Sequence, residues 1–145
     1  MRPLFQPDYQ LAHIMANELI LIVEDNEKNR KLERDILQFH GYRTAEADNA
    51  EDGIRLAQES PPALILMDIQ LPRMNGIEAL HVLRGDARTR AVPVIAVTAS
   101  AMSQDRQKIM AAGFDGYQAK PIDVTGFVAA VRQMIDRPVK GDGAR

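Results

Sequence analysis

The chain has no cysteine and only three histidines, and these shortages exclude several kinds of site. Without cysteine there are no disulfides and no thiolate-bound metals. The histidines stand far apart in the sequence, so we expect no histidine-rich metal centre. An excess of basic charge is also lacking, because the formal net charge is -2. A nucleic-acid-binding domain usually needs a basic surface, so nucleic acid is not an expected partner.

Long apolar runs are missing as well. No segment approaches the ~18 apolar residues that could cross a bilayer. The N-terminus lacks the continuous apolar stretch of a secretion signal, so we expect a cytoplasmic protein without membrane insertion. Apolar residues make up 46% of the 145 residues and charged residues 26%, which is typical of one ordinary globular domain with its own core.

From Leu19 onward, short apolar runs alternate with helical patterns. The first helix is expected to be capped by Asn26 and to carry Leu32, Ile36 and Phe39 on one apolar face. Ser103 is expected to cap the fourth helix. The five predicted strands cover residues 19–23, 42–47, 63–67, 92–97 and 116–119.

Five strand–helix units predict an α/β fold, a doubly wound five-stranded parallel sheet flanked by five helices. Strands one, three and four are almost wholly apolar, as strands buried on both faces should be. Strands two and five are short or polar, which suits sheet edges. The flavodoxin-like order 2-1-3-4-5 satisfies both conditions, and such sheets bind ligands beyond the carboxyl ends of their strands.

Polar side chains that can bind ions or take part in reactions stand at the ends of these runs. Glu24 and Asp25 follow the first, Asp68 follows the third, Thr98 the fourth and Lys120 the fifth. Three acids at one sheet edge can hold a divalent cation. A hydroxyl and an ammonium beside them can hold a phosphoryl group, since lysine serves as a point charge for phosphate. The pattern predicts an aspartate that accepts a phosphoryl group.

The motifs that carry these residues resemble the CheY-like receiver domains of two-component response regulators. The spacing is similar to that of the family, with 43 residues from Asp25 to Asp68, 30 from Asp68 to Thr98 and 22 from Thr98 to Lys120. The segments 21–29 and 64–72 resemble stand-alone regulators of the DivK type and receivers attached to hybrid kinases. The motifs that carry the resemblance are Val23-Glu24-Asp25-Asn26, Leu66-Met67-Asp68, Leu71-Pro72-Arg73-Met74-Asn75-Gly76, Val97-Thr98-Ala99 and Tyr117-Gln118-Ala119-Lys120-Pro121.

The resemblance also implies a division of the chain. Residues 18–137 would form the receiver domain, preceded by an extension over 1–17 and followed by a tail over 138–145 that is too short for an output domain. The extension is either a flexible arm or the product of a mis-assigned start, because Met15 stands just before the first strand. The two alternatives stay open at this point.

The resemblance implies a role for each acid. Asp68 would be the phosphoacceptor. Mg²⁺ would be held by Asp25, Asp68 and the backbone carbonyl of Gln70, while Glu24 would act through water. Many family members have an aspartate where this chain has Glu24, and the longer side chain leaves open whether its contact is direct or water-mediated.

It also implies how the site signals. Lys120 would contact the phosphoryl oxygens, and Thr98 would donate its hydroxyl to one of them. As Thr98 moves, Tyr117 would turn inward as the switch aromatic. A cis bond before Pro121 would aim the Lys120 amine into the site. The supporting residues would be Asn26, Gly76 and Pro121.

The partners follow from the same resemblance. A sensor histidine kinase or a histidine phosphotransfer protein would donate the phosphoryl group, docking on the first helix and the loops around the site. A downstream protein would bind the face of the fourth helix, fifth strand and fifth helix. The protein would catalyse only its own phosphorylation and dephosphorylation, and it would be a monomer or a weak dimer.

Two other function classes compete with this interpretation. A phosphohydrolase of the haloacid dehalogenase type would need a second acid two residues after its nucleophile, and Gln70 occupies that position. A receiver fold used only as a phosphorylation-independent binding module would tolerate loss of the site. The intact set of Glu24, Asp25, Asp68, Thr98 and Lys120 disfavours that alternative.

Overall fold

The computed structural model describes residues 17–99 and 102–136. Within them lies one five-stranded parallel sheet of order β2-β1-β3-β4-β5, which confirms the predicted topology. The predicted extension over 1–17, apart from Asn17, and the tail over 138–145 lie outside the described residues. The strands are β1 (Leu19–Val23), β2 (Arg43–Ala47), β3 (Leu64–Asp68), β4 (Val94–Thr98) and β5 (Gly116–Ala119).

Five helices in the described part of the chain connect and follow the strands. Asn26, Asn49 and Asn75 cap the first three, each by accepting a hydrogen bond from a backbone N–H of the first turn. The helices are α1 (Glu27–Phe39), α2 (Ala50–Glu59), α3 (Gly76–Arg84), α4 (Ser103–Ala111) and α5 (Val124–Asp136). None of those in the described part of the chain is long and apolar enough to span a bilayer.

The core lies in two layers, one on each face of the sheet. All residues of β3 and β4 are buried, as expected for strands covered on both faces. On one face, Leu37 of α1 packs with Phe127 and Val131 of α5. The layer on the other face is formed with α2, α3 and α4. This arrangement leaves the carboxyl edge of the sheet as the place where polar loops meet.

Two details of the helices differ from the sequence predictions. The predicted apolar face of α1 is wrong at two of its three residues, because Phe39 is 85% exposed and Leu32 is also exposed. Ile36 does pack against the core, and Leu37 and Glu33 are buried. Ser103 is the first residue of α4 rather than its cap, since Met102 occupies the cap position and makes no side-chain capping bond. Tertiary contacts, not the hydropathy pattern alone, decide which side of α1 faces the sheet.

Candidate functional site

The carboxyl ends of β1, β3 and β4 bring the predicted acids and the hydroxyl to one edge. Asp68 and Thr98 are the last residues of their strands, one position further than the sequence predicted, and Glu24 and Asp25 directly follow β1. Carboxylate oxygens of Glu24, Asp25 and Asp68 all lie within 4.8 Å of one another. Glu24 and Asp68 are buried, whereas Asp25 is exposed. Such a set of hard oxygen ligands, with one member open to solvent, fits a Mg²⁺ ion.

The amine of Lys120 joins this cluster from the loop after β5. Its Nζ lies 2.8 Å from Oε1 of Glu24 and 3.4 Å from Oδ2 of Asp68. The following Lys120–Pro121 peptide bond is cis, as the family resemblance implied. Burial disfavours the charged amine, but the hydrogen bond with Glu24 and the charges of Asp68 and Glu24 outweigh it, so the pKa of Lys120 lies above its usual value. Lys120 therefore stays a cation.

The surroundings of the Asp68 carboxyl disfavour its charged form. Burial raises its pKa from 3.8 to about 7, and the charge of Glu24 and a hydrogen bond with Glu24 act in the same direction. Lys120 and the backbone N–H of Gln70, which donates to Oδ1 at 3.1 Å, lower it and offset part of the effect. A divalent cation would relieve this crowding of negative charge.

The loop after β3 is shaped by a close approach of two backbones. A Cβ added to Gly76 would lie 2.5 Å from the carbonyl oxygen of Asp68 and 2.9 Å from Cα of Ile69. Gly76 is thus needed because α3 begins against the end of β3. The positive φ in this loop, 64°, belongs to Arg73, so Gly76 is needed for its small size and not for its backbone conformation.

The loop between β1 and α1 is held by its own side chains. Oε2 of Glu24 accepts the backbone N–H of Asn26, and the Asn26 side chain in turn accepts the N–H of Asn29 to cap α1. Arg30 donates to the carbonyl of Glu24 at 2.9 Å and to the carboxylate of Glu46 at 3.2 Å. Sequence reasoning missed Arg30, because nothing in its local pattern shows that β2 lies beside it.

The two proposed switch residues lie in neighbouring strands. Thr98 is buried at the end of β4 and pairs in register with Ala119. Thr98 lines a cavity of about 200 Å³ together with Ile69, Gln70, Ile77 and other residues. Tyr117 is half-buried on β5, with the Arg106 guanidinium carbon 5.3 Å from the centre of its ring.

A fourth acid lies near the cluster and was missed by sequence reasoning. Glu33 of α1 is only 1% exposed, and its Oε2 has no hydrogen-bond partner within the described part of the chain. Burial raises its pKa from 4.5 to about 8, with smaller contributions from the charges of Glu24 and Asp68, and Lys120 opposes them. A glutamate in a helix with charged neighbours at 31, 34 and 35 gives no sequence signal of burial.

Comparisons with known proteins identify the family to which this chain belongs. The family model of the response regulator receiver domain matches residues 20–132. The polar-differentiation response regulator DivK of Brucella anthropi is 44% identical over 116 residues, which cover 80% of this chain and 94% of that protein. DivK of Brucella ovis is 43% identical over 116 residues, which again cover 80% of this chain and 94% of that protein.

Solved structures agree with the sequence relatives. The receiver domain of a sensor histidine kinase from Pseudomonas aeruginosa, with a magnesium ion coordinated in its active-site cleft, is 32% identical and has a TM-score of 0.78. The alignment covers 83% of this chain and 99% of that chain. The chemotaxis protein CheY4 of Vibrio cholerae shares the fold, with 22% identity and a TM-score of 0.76. That alignment covers 81% of this chain and 98% of the CheY4 chain. The chain belongs to the response regulator receiver domain family.

Proposed function

We propose that this protein works as a stand-alone regulator in a phosphorelay, in which Asp68 accepts a phosphoryl group from a phosphohistidine donor. The single observation that carries the proposal is the contact of one lysine with two of three clustered acids, at 2.8 Å from Glu24 and 3.4 Å from Asp68. The likeness to DivK over most of the chain supports the same proposal. A cytoplasmic location is part of it.

The chemistry begins with the Asp68 carboxylate as nucleophile. One of its oxygens attacks phosphorus, and the bond from phosphorus to the donor imidazole nitrogen breaks as the aspartyl-phosphate bond forms. The electron pair of the broken bond stays on the imidazole. Lys120 neutralises charge on the phosphoryl oxygens, and the Thr98 hydroxyl donates to one of them. Attack of water on the acyl phosphate would release inorganic phosphate and return Asp68 to its free carboxylate form.

Asp25, Asp68 and the backbone carbonyl of Gln70 would hold Mg²⁺, with Glu24 acting through water. A bound Mg²⁺ neutralises the charge that accumulates on the phosphoryl oxygens as the bonds exchange. Asn26 would support the loop after β1, and Gly76 would support the loop after β3. Pro121 follows Lys120. The backbone N–H of Gln70, which donates to Asp68, orients the nucleophile.

The output would be a change in surface. The aspartyl-phosphate adds about -1.5 to -2 charges and three acceptor oxygens, which draws Thr98 toward the phosphoryl group. Tyr117 would then turn inward and alter the face of α4, β5 and α5 that binds a downstream protein. A histidine kinase or phosphotransfer protein would dock on α1 and the loops at the carboxyl edge. The protein acts on itself and turns over no external substrate.

Transfer from a phosphorylated histidine protein to this chain tests the proposal. We expect ³²P to move from the donor to the wild type in the presence of Mg²⁺ and not to the Asp68→Asn variant. Asp48→Asn is the matched control, since Asp48 is an exposed acid after β2. Equal labelling of wild type and Asp68→Asn would contradict the assignment, and steady turnover of a simple phosphoester would favour a hydrolase.

A further inference from the structure

Among the buried acids of the described residues, Glu33 alone has no role in the proposed function. Glu33 stands one helical turn before Leu37, so the two share a face of α1. Leu37 packs in the core layer with Phe127 and Val131 of α5. Side chains of a helix point toward its N-terminus, and the N-terminus of α1 lies at the acid cluster. The side chain of Glu33 therefore extends from the apolar layer toward the acid cluster.

Burial of this carboxyl without full pairing is costly for the fold. An unsatisfied buried polar group lowers the stability of the folded state, and an apolar side chain of similar size would avoid that cost. No described ion pair includes Glu33, and its Oε2 has no hydrogen-bond partner within the described residues. Groups that break such packing rules concentrate at functional sites.

The charged groups that act on Glu33 are those of the site itself. Glu24 at the end of β1 and Asp68 at the end of β3 disfavour its ionisation, and Lys120 after β5 favours it. From α5 the same layer contributes the apolar residues Phe127 and Val131. The carboxylate of β2, Glu46, is paired with Arg30 and Arg34 of α1.

We propose that Glu33 is a tuning residue of the phosphoacceptor site, a fourth acid beneath the cluster that adjusts how strongly the cluster holds a divalent cation. It acts through its electric field rather than as a ligand. In the metal-free protein Glu33 stays uncharged near neutral pH, because burial and the charges of Glu24 and Asp68 outweigh the opposing charge of Lys120. A divalent cation at Glu24, Asp25 and Asp68 favours the ionised form of Glu33, which releases its proton to solvent and strengthens the binding in return. This proposal rests on the proposed function, because it needs the cation.

Calorimetric titration of Mg²⁺ into the protein between pH 6 and 9.5 tests it, in buffers of different ionisation enthalpy that report released protons. We expect wild type and Glu33→Gln to bind alike near pH 6, since Glu33 is then neutral in both. Near pH 9 the wild type should bind about threefold tighter or more, because a nearby full negative charge attracts the cation. Near pH 7.5 the wild type should release more protons on binding than the variant.

Two further variants and an NMR titration make the result specific. Glu33→Leu removes the carboxyl but fits an apolar layer, so it should fold at least as stably and show the same affinity profile as Glu33→Gln. Glu27→Gln removes an exposed acid at the start of α1, and its profile should follow the wild type because solvent screens that charge. A ¹³C NMR titration of the wild type should show the Glu33 carboxyl titrating at lower pH with Mg²⁺ than without it.

The outcomes separate the two proposals. Mg²⁺ affinities and proton counts that coincide for wild type, Glu33→Gln and Glu33→Leu across the pH range would overturn the role of Glu33 and leave the phosphoacceptor assignment standing. Altered thermal stability with unchanged Mg²⁺ profiles would assign Glu33 a purely structural role and would also overturn it. Absence of Mg²⁺ binding to the wild type would overturn both proposals.

Discussion

The ammonium of Lys120 lies 2.8 Å from the Glu24 carboxylate, so the loop after β5 is joined by an ion pair to the loop after β1. The same nitrogen lies 3.4 Å from Asp68 at the end of β3. A single cation thus ties three elements of the carboxyl edge together. Because Glu24 and Asp68 are both buried, this pairing decides whether their negative charges are tolerated.

Removal of the lysine should slow phosphoryl acceptance. In Lys120→Met the charge that lowers the pKa of Asp68 is gone, so a smaller fraction of Asp68 is ionised at neutral pH. We expect labelling by a small phosphodonor to fall about tenfold or more at pH 7, measured by intact mass over time. Lys31→Met, which removes an exposed lysine paired only with Asp35 among the described ion pairs, is the control. Equal rates for Lys120→Met and wild type would contradict this account.

The metal-free protein should lose stability as the pH rises from about 4.5 to 8. The folded-state pKa values of Asp68 and Glu33, about 7 and about 8, exceed the ordinary values of 3.8 and 4.5 expected of the unfolded chain. The folded state therefore binds more protons in this window, and linkage makes the free energy of unfolding fall with pH.

Urea unfolding at closely spaced pH values measures this slope. It should be shallower in Glu33→Leu, since one of the two acids is then absent, and the variant should gain most stability at the alkaline end. A free energy of unfolding that rises through the same window, or a slope unchanged by the substitution, would be inconsistent with the burial of Glu33.

Substitution of Gly76 should destabilise the fold. In Gly76→Ala the added methyl would meet the Asp68 carbonyl at 2.5 Å, and both groups belong to backbone that cannot move without displacing the site. We expect a loss of roughly 1–3 kcal/mol in the free energy of unfolding, together with weaker Mg²⁺ binding. Gly85→Ala is the matched control, because its nearest neighbours are at 3.5 Å and its φ is -83°. Equal stability of the two variants would contradict the close-packing argument.

Truncation of the two apolar residues at the end of α1 should affect stability to very different extents. Leu37 is fully buried, so Leu37→Ala should cost roughly 2–5 kcal/mol. Phe39 is 85% exposed, and Phe39→Ala should change the free energy of unfolding by less than about 0.5 kcal/mol. Denaturant unfolding of both variants measures the difference. A larger loss at Phe39 than at Leu37 would favour the face that the sequence pattern predicted.

The sequence predicts the fold well because its signals are local. Apolar runs mark the strands, asparagines mark the helix starts, and the polarity of β2 and β5 marks the edges. The acids at the ends of these runs then come together for a topological reason, since the carboxyl ends of parallel strands share one edge.

The remainder of the site depends on tertiary contacts that no local pattern carries. Glu33 follows a leucine and precedes an arginine, so only the packing of α1 on the sheet shows that it is buried. The bonds of Arg30 need β2 beside α1. Gly76 looks like a turn residue in the sequence, yet its small size matters through the approach of α3 to Asp68.

The proposed function requires Asp68 to accept a phosphoryl group in a cation-dependent way. The most direct test is intact-mass spectrometry after incubation with acetyl phosphate, with Mg²⁺ and with a chelator, for wild type and Asp68→Asn. We predict one added phosphoryl group in the wild type with Mg²⁺ alone, and none in the other three samples. An adduct of equal yield in Asp68→Asn, or one that forms as readily with the chelator, would contradict the claim.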